Sequence, residues 1–406
     1  MILLKYIVRN NYFSKWLMMR FSTIYLDNAA TTRIDDKVLE EMIPYYTKHY
    51  GNASSLHSYG YDAKEAMDES RETISKILHS DFEDIIFTAS GSEANNMAIK
   101  GLAFSDPSKK HIITTKIEHK SITNQLDWLA TRGYRSTYLD VDKDGFINLE
   151  QLEKSLEKNK DTLLVSIIHG NNEIGTLQDL EKIGKSCKKY NVPFHIDACQ
   201  SFTKSPIDVK KMNISLASIN AHKIHGPKGV GALYVSKEIK LTPLIHGGQQ
   251  EFKKRAATEN IPGIVGFAKA AEINNSSKVS KQVTKLRDDL TKGLEKIVDS
   301  KLNGPRGERR LYNNVNFSFK GIEGEALGGY LDQKSICTST GSACSSKSLE
   351  PSPVLRAIGL DYEDANSSLR MSVSKYNTDD EMDYTIKTTE EIVQKLRKIS
   401  PIYKHK

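Results

Sequence analysis

The chain has 406 residues, of which 38% are hydrophobic and 27% are charged. That composition is typical of a soluble enzyme, and the length favours two domains. The net charge of +7 comes from 58 basic and 51 acidic residues with interspersed signs. Because the basic residues form neither an arm nor an aromatic-basic motif, the sequence argues against direct nucleic-acid binding. No apolar run approaches the roughly 20 residues that a membrane span needs, so we expect no membrane partner.

The cysteines and the first residues indicate a compartment. Four scattered cysteines, at positions 187, 199, 337 and 344, fit neither a disulfide framework nor a zinc pattern. We therefore expect a reducing, cytoplasmic location. Residues 1–22 are basic, aromatic and free of acid, and we interpret them as an upstream extension because Met18 and Met19 offer later starts. A targeting peptide, with a mitochondrion-like location, stays open as the alternative.

The first predicted elements lie between residues 24 and 78. In YLDNAATT a short strand enters a turn of small residues, which lets the backbone approach a ligand or another strand closely. Apolar spacing predicts a helix from about Asp35 to His49, and a charged helix follows from about Asp62 to Leu78.

The next strand, IIFTA, breaks at Ser90-Gly91-Ser92 and enters a helix at Glu93. The first turn of such a helix has free N–H groups and a positive dipole end, which together favour a phosphate. An N-cap serine on an ordinary strand-to-helix turn has the same pattern, and for this motif alone it is the stronger interpretation.

Buried strands alternate with amphipathic helices from about residue 62 to residue 235. The alternation predicts a mostly parallel sheet with helices on both faces, and such sheets bind ligands at the carboxyl ends of their strands. The polar residues predicted at those ends are Ser92, His119, Asn172, Asp197 and Lys223. Their convergence predicts a ligand site.

Asp197 and Lys223 indicate the cofactor. A lysine amine can hold an aldehyde as a Schiff base, and a carboxylate facing a pyridine nitrogen keeps the ring protonated as an electron sink. The pair therefore indicates pyridoxal 5′-phosphate. Taken alone, two such residues are more often a turn residue and a solvated charge.

The pattern changes past Gly247. A polar loop, HGGQQEFKKRAATENIPG, precedes a helical stretch that is interrupted around residues 274–277 and ends near Asp299. Shorter strands (NNVNFSF, LRMSVS) then alternate with helices, which predicts a smaller α+β domain.

Six segments occur in an order that resembles a known family: IEHK, NNEIG, HIDACQ, HKIHGPKGVGALYV, RAATENIPG and STGSACSS. With YLDNAATT near residue 25 and SSLRMSVS near residue 370, they cover almost the whole chain. Together they resemble the cysteine desulfurases, fold-type I pyridoxal-phosphate enzymes of the class V aminotransferase group. STGSACSS followed by LEPSPVLRAIGL is similar to the group with a long, mobile cysteine loop that serves iron–sulfur cluster assembly.

The resemblance implies an α/β fold with two domains. A large cofactor-binding domain, residues 31–277, would hold a mostly parallel seven-stranded sheet sandwiched by helices. Residues 23–30 and 278–406 would form a small α+β domain that carries the cysteine loop.

The resemblance also assigns roles at the cofactor. Lys223 would bind the cofactor aldehyde and move protons at the substrate α-carbon, and Asp197 would pair with the ring nitrogen. Gln200 would hydrogen-bond the phenolic oxygen, and His119 would stack on the ring and act as an acid or base. The phosphate would be held by Gly91, Ser92, Asn220 and His222, and by Thr258 of a neighbouring subunit in a homodimer. Asn172 would also bind the cofactor.

Three positions at or beside the phosphate site depart from the family pattern. Many relatives have threonine where Ser92 stands, and serine and glycine where Asn220 and Ala221 stand. Serine keeps the hydroxyl and asparagine keeps a donor, so we expect the phosphate site to persist with altered geometry.

For the reaction, the resemblance implies L-cysteine as substrate, with its carboxylate held by Arg370 and Asn172. Cys344 lies among small polar residues without apolar periodicity, where a thiol is placed to react rather than to pack. Its thiolate would take the sulfur as a persulfide, and L-alanine would leave. The sulfur would pass to an iron–sulfur scaffold protein or to another acceptor such as a tRNA thiolation enzyme, and Cys344 could ligate iron during cluster delivery.

Other functions stay open from the sequence. A selenocysteine lyase, a small amino acid aminotransferase or a kynureninase-like hydrolase would share the aspartate and the lysine. A non-catalytic binding protein on this fold would be expected to have lost Asp197, Lys223 or Cys344, and all three are present.

Overall fold

The computed structural model describes residues 23–341 and 351–403. Its strands are β1 (Ile24–Tyr25), β2 (Ile85–Thr88), β3 (His111–Thr115), β4 (Arg135–Leu139), β5 (Thr162–Ile168), β6 (Phe194–Asp197), β7 (Leu216–Asn220), β8 (Gly231–Val235), β9 (Ser300–Leu302), β10 (Asn314–Phe319), β11 (Ile336–Cys337) and β12 (Ser368–Ser372).

The α-helices of the same ranges are α1 (Asp36–Met42), α2 (Pro44–Thr47), α3 (Ser58–Leu78), α4 (Gly91–Ser105), α5 (Lys120–Ala130), α6 (Leu149–Lys158), α7 (Leu180–Lys189), α8 (Ile261–Asn274), α9 (Ser277–Leu294), α10 (Gly324–Asp332), α11 (Pro353–Ala357), α12 (Tyr362–Asn366) and α13 (Asp379–Ile399).

Strands β2 to β8 form a seven-stranded sheet in the order β2-β8-β7-β6-β5-β3-β4. The pairs from β4 through β7 are all parallel, while β8 pairs antiparallel with both β7 and β2. Every residue of β5, TLLVSII, is buried, as expected for a strand covered on both faces. The predicted mostly parallel α/β sheet is confirmed.

Two hydrophobic cores lie on opposite faces of this sheet. In β2 the alternation is direct, since Ile85 and Phe87 belong to one cluster and Ile86 to the other. The first cluster includes Ile74 of α3 and Phe267 of α8, and the second includes residues of α4 and α5. Helices on both faces leave the carboxyl ends of the strands as the open edge.

A second sheet is built from later residues. Strands β12, β10 and β9 pair antiparallel in that order, and a third core packs them against α9 and α13. The two-residue strand β1 pairs with β11, and Leu26 packs in this third core. The first described residues therefore pack with the C-terminal part of the chain, and the large sheet begins only with β2. The domain limits 31–277, and 23–30 with 278–406, remain a prediction.

Three local predictions were wrong in detail. The helix predicted from Asp35 to His49 is split into α1 and α2 at Pro44, which lacks the N–H that a continuous helix would use. The helix predicted to begin at Glu93 begins at Gly91, after the N-cap Ser90. Strand β3 ends at Thr115, so His119 is not at a strand end but is the N-cap of α5.

Among the helices of the described ranges, none is long and apolar enough to cross a membrane.

Candidate active site

A cavity of about 260 Å³ lies at the carboxyl-end edge of the large sheet. It gathers most of the residues predicted for the site: Gly91, Ser92, His119, Asn172, Asp197, Gln200, Asn220, His222, Lys223 and Arg370. They come from α4, from the ends of β6 and β7, from the loops that follow β3, β5, β6 and β7, and from β12, so the fold brings together residues as far apart in the chain as Gly91 and Arg370.

Asp197 ends β6 and is only 4% exposed. Its Oδ2 accepts a hydrogen bond from Asn95 Nδ2 at 2.8 Å, and its Oδ1 accepts one from the backbone N–H of Cys199 at 3.0 Å. Two donors therefore fix the orientation of a buried carboxylate at the cavity wall.

Lys223 follows β7 and reaches across to the turn of small residues. Its Nζ donates to the carbonyl of Ala29 and, at 2.6 Å, to that of Ala30. Gln200 Nε2 donates to the same Ala29 carbonyl at 2.8 Å. The NAATT turn thus approaches the lysine closely, which the absence of bulky side chains in the turn permits.

The N-terminus of α4 forms another wall. Ser90 Oγ accepts from the N–H of Glu93 at 3.1 Å, and Gly91 and Ser92 line the cavity. A Cβ at Gly91 would lie 2.3 Å from Cys199 Sγ, so only glycine fits there. Beside it, Asn220 Oδ1 is buried and has no hydrogen-bond partner among the described residues.

His222 lies next to this wall and is neutral. Its Nδ1 lies 3.2 Å from Thr31 Oγ1. Burial, together with the nearby charges of Lys223, Lys228 and Lys204, lowers the pKa of His222 to about 4. At neutral pH it can contribute an N–H donor, not a positive charge.

Arg370 comes from β12 and is 2% exposed. One guanidinium nitrogen donates to Asp27 Oδ1 at 2.9 Å and another to the Asn172 carbonyl at 3.1 Å. Its Nε is buried and has no partner in the described part of the chain. A planar cation at the cavity wall suits a carboxylate.

Two predicted site residues are not in this cavity. Thr258 is exposed and is not part of the lining of its own chain's cavity. Cys344 lies outside the described residues. Close to the undescribed residues 342–350, Ser352 Oγ donates to Glu173 Oε2 at 2.5 Å, and a Cβ built on Gly341 would lie 3.2 Å from the same oxygen.

The structure adds residues that the sequence reasoning missed. Asn95, Ser121 and Cys199 line the cavity, and Asp27 pairs with Arg370. Of these residues, only Asn95 could have been found from the sequence pattern. It lies four residues after Gly91, so helical periodicity places both on one face of α4.

In the described ranges, no three His, Cys, Asp or Glu side chains are grouped to hold a metal ion.

The chain matches the sequence profile of the class V aminotransferases over residues 24–385, and it belongs to that family. "Cysteine desulfurase IscS" of Clostridium botulinum is 47% identical over 385 residues, which cover 94% of this chain and 96% of that protein. Within the family, the chain therefore groups with the cysteine desulfurases, which are pyridoxal-phosphate enzymes.

Solved structures agree with this placement. A NifS-like protein superposes with a TM-score of 0.86 at 40% identity and covers 92% of this chain and 100% of its own. A structure described as SspA in complex with cysteine superposes with a TM-score of 0.78 at 38% identity, covering 88% and 100%. The fold, the enzyme class and the cofactor implied by the sequence resemblance are confirmed.

The residues of the cavity fit pyridoxal phosphate. A buried carboxylate, a lysine amine and an imidazole line a single cavity, and the helix N-terminus at Gly91 and Ser92 lies at its wall. The first turn of α4, where Gly91 and Ser92 line the cavity, offers backbone N–H groups and a positive dipole end that suit an anion. Lys223 and Asp197 would hold the cofactor at its aldehyde and its ring nitrogen.

Proposed function

We propose that the chain removes sulfur from L-cysteine, carries it as a persulfide on Cys344 and releases L-alanine. The observation that carries the proposal is the meeting of Asp197, Lys223 and Arg370 at one cavity of about 260 Å³. The first two suit the cofactor, and the third suits the carboxylate of an amino acid.

The cofactor supplies an aldehyde that links to amino groups and a protonated ring that accepts the electron pair released at the α-carbon. Asp197 would keep the ring nitrogen protonated. Gln200, whose amide is oriented by the Ala29 carbonyl at 2.8 Å, would hydrogen-bond the phenolic oxygen. Gly91, Ser92, Asn220 and His222 would hold the phosphate.

At the substrate, Arg370 binds the α-carboxylate with its two-pronged guanidinium, and Asn172 assists. Lys223 takes the proton from the α-carbon and returns one later in the reaction. His119, which lines the same cavity, would pack against the cofactor ring.

Cys344 then acts as the nucleophile in sulfur transfer. Its thiolate attacks the substrate sulfur, a sulfur–sulfur bond forms, and the carbon–sulfur bond breaks with its electron pair remaining on the substrate. Protonation of that carbon gives alanine. The hydrogen bond from Ser352 to Glu173 supports this role, because it holds the chain just after the segment containing Cys344 at the sequence neighbour of Asn172.

The experiment compares two cysteine variants in the full-length holoenzyme. With L-cysteine, the parent should form alanine and a persulfide that mass spectrometry locates on the peptide containing Cys344. Cys344→Ala should keep the cofactor's visible absorbance yet form neither product at the parent's rate. Cys337→Ala is the matched control, since burial raises the pKa of that thiol and makes it a poor nucleophile.

Normal alanine formation by Cys344→Ala would disprove the persulfide assignment. Transfer of the amino group to a keto acid in place of alanine release would instead identify an aminotransferase. Assaying selenocysteine alongside cysteine tests whether the enzyme is instead a selenocysteine lyase.

We further propose a homodimer that delivers sulfur to an iron–sulfur scaffold protein or another acceptor. Exposure of Thr258 on the surface supports a role in a neighbouring subunit's phosphate site. Light scattering should give twice the chain mass, and a monomer that retains full activity would refute shared sites. Iron ligation by Cys344 during delivery is part of the same proposal.

We also propose a reducing, cytoplasmic location. Cys187, Cys199 and Cys337, the cysteines of the described ranges, are all unpaired thiols. Mass determination of the mature N-terminus in cells separates this location from the organellar alternative, in which residues 1–22 would be removed.

A further inference from the structure

We propose that Asn95 and Ser121 are positioning residues, which hold His119 as a neutral ring with its proton on Nε2 and tie it to Asp197. The inference rests on the proposed function, because it refines how two groups beside the cofactor act together. Neither Asn95 nor Ser121 has a role in the reaction described above.

The tautomer follows from the helix cap. His119 is the N-cap of α5, and its Nδ1 accepts a hydrogen bond from the backbone N–H of Ser121 at 3.1 Å. A backbone N–H can only donate, so Nδ1 must be unprotonated. In a neutral imidazole the proton then resides on Nε2.

Ser121 and Asn95 extend this arrangement to Asp197. Ser121 Oγ lies 2.8 Å from His119 Nδ1 and accepts a hydrogen bond from Asn95 Nδ2 at 2.8 Å, so its own proton points to Nδ1. The second proton of the same Asn95 amide goes to Asp197 Oδ2, also at 2.8 Å. The reversed amide would place its oxygen against the carboxylate, so the direction of every bond is determined.

The surroundings favour the same state. Asn95 is 1% exposed. Gln125 Nε2 donates hydrogen bonds to the backbone carbonyls of Ser121 and Asn95, at 2.6 and 3.2 Å. Burial is the largest cause of a lowered His119 pKa. Of the charged groups that face the ring, Lys223 lowers that pKa further and Asp197 raises it. Protonation of Nδ1 would also set two N–H groups against each other at the helix cap.

His119 therefore presents an N–H donor at Nε2 and has no free lone pair with which to act as a base. The sequence resemblance left open whether His119 acts as an acid or a base. The hydrogen bonds assign it a donor role, and they leave the proton transfers at the α-carbon to Lys223.

The test uses ¹⁵N-histidine-labelled protein, as apoprotein and as holoenzyme. His119 signals are assigned by comparison with His119→Gln. In the parent at neutral pH we expect an unprotonated Nδ1 and a protonated Nε2 in both forms. Ser121→Ala should shift the His119 signals, raise the pH at which the ring gains a proton and lower kcat/KM for cysteine by about three- to tenfold, the effect of one lost hydrogen bond.

Ser121→Thr restores the hydroxyl and should return all three readouts towards the parent values. Thr123→Ala, which removes a hydroxyl from the same helix, should change none of them. Thermal unfolding of each variant shows whether the fold persists.

A protonated Nδ1 or a charged ring in the parent at neutral pH would overturn the proposal. Unchanged His119 signals in Ser121→Ala would overturn it as well. If the parent fails to convert cysteine to alanine, the proposed function fails, whereas the tautomer measured in the apoprotein still decides the positioning role.

Discussion

Two arginines are equally buried, at 2% exposure, yet they lie in very different regions. Arg71 makes a two-pronged pair with Glu251, each nitrogen–oxygen distance being 2.8 Å, and its guanidinium lies over the rings of Phe87 and Phe252 at 4.8 and 4.9 Å. Arg370 has a single carboxylate bond, at 2.9 Å, to Asp27.

The partners differ as much as the geometry. Glu251 is 3% exposed and also accepts the N–H of Phe87, whereas Asp27 is 20% exposed. Arg370 borders the cavity, and Arg71 is not among the residues that line it. Burial alone therefore does not separate a structural cation from a binding one. The distinction comes from whether the guanidinium fork is already occupied by a carboxylate and whether it faces a cavity.

The largest effect should come from breaking the Arg71 pair. Glu251→Gln leaves a buried guanidinium without its counter-charge, so we expect the free energy of unfolding to fall by about 3–5 kcal/mol. Urea unfolding measures the loss. Glu72→Gln, which breaks the exposed pair between Lys76 and Glu72, is the control and should cost less than about 0.5 kcal/mol. A loss below about 1 kcal/mol in Glu251→Gln would show that the pair is not structural.

A smaller and different effect should follow from Arg370→Lys. Lysine keeps the charge but loses the planar fork, so kcat/KM for L-cysteine should fall about 10- to 100-fold while stability stays near that of the parent. Steady-state kinetics and urea unfolding separate the two quantities. Arg306→Lys, at a mostly exposed pair with Glu295, should leave both unchanged. A large loss of stability with normal kinetics would place Arg370 in the same class as Arg71.

The smallest effect is expected for Asp27→Asn. Asp27 accepts a hydrogen bond from one guanidinium nitrogen of Arg370, so its carboxylate competes with the substrate carboxylate for that nitrogen. Removing its charge should lower KM for cysteine about two- to threefold and cost roughly 1 kcal/mol of stability. Initial rates measured over a range of cysteine concentrations give the KM that tests this prediction. A raised KM would mean that Asp27 orients Arg370 and does not compete for it.

The sequence predicted the elements of the site better than its contacts. The alternation of apolar runs predicted a mostly parallel sheet with helices on both faces, and the polar residues predicted at its strand ends included Asp197, Lys223 and Asn172. Asn95 was missed because its bond to Asp197 joins residues 102 positions apart and depends on how α4 packs on β6. Asp27 was missed for the same reason, since 343 positions separate it from Arg370.

His119 shows a finer limit. The IEHK segment predicted a histidine at the cofactor, but its protonation state depends on a helix cap that exists only once α5 begins at Lys120. Hydrogen-bond direction is a property of the packed structure, and periodicity carries no information about it.

The pairing of β1 with β11 has a consequence for how the site forms during synthesis. Asp27, Ala29 and Ala30 are made early, yet the strand that precedes them pairs with Ile336 and Cys337. Arg370 emerges from the ribosome later still. The large sheet can therefore form on a growing chain, while the wall that receives the substrate waits for the last part of the chain. A nascent chain that stops before β11 would hold Asp197 and Lys223 without the region that confers amino acid recognition.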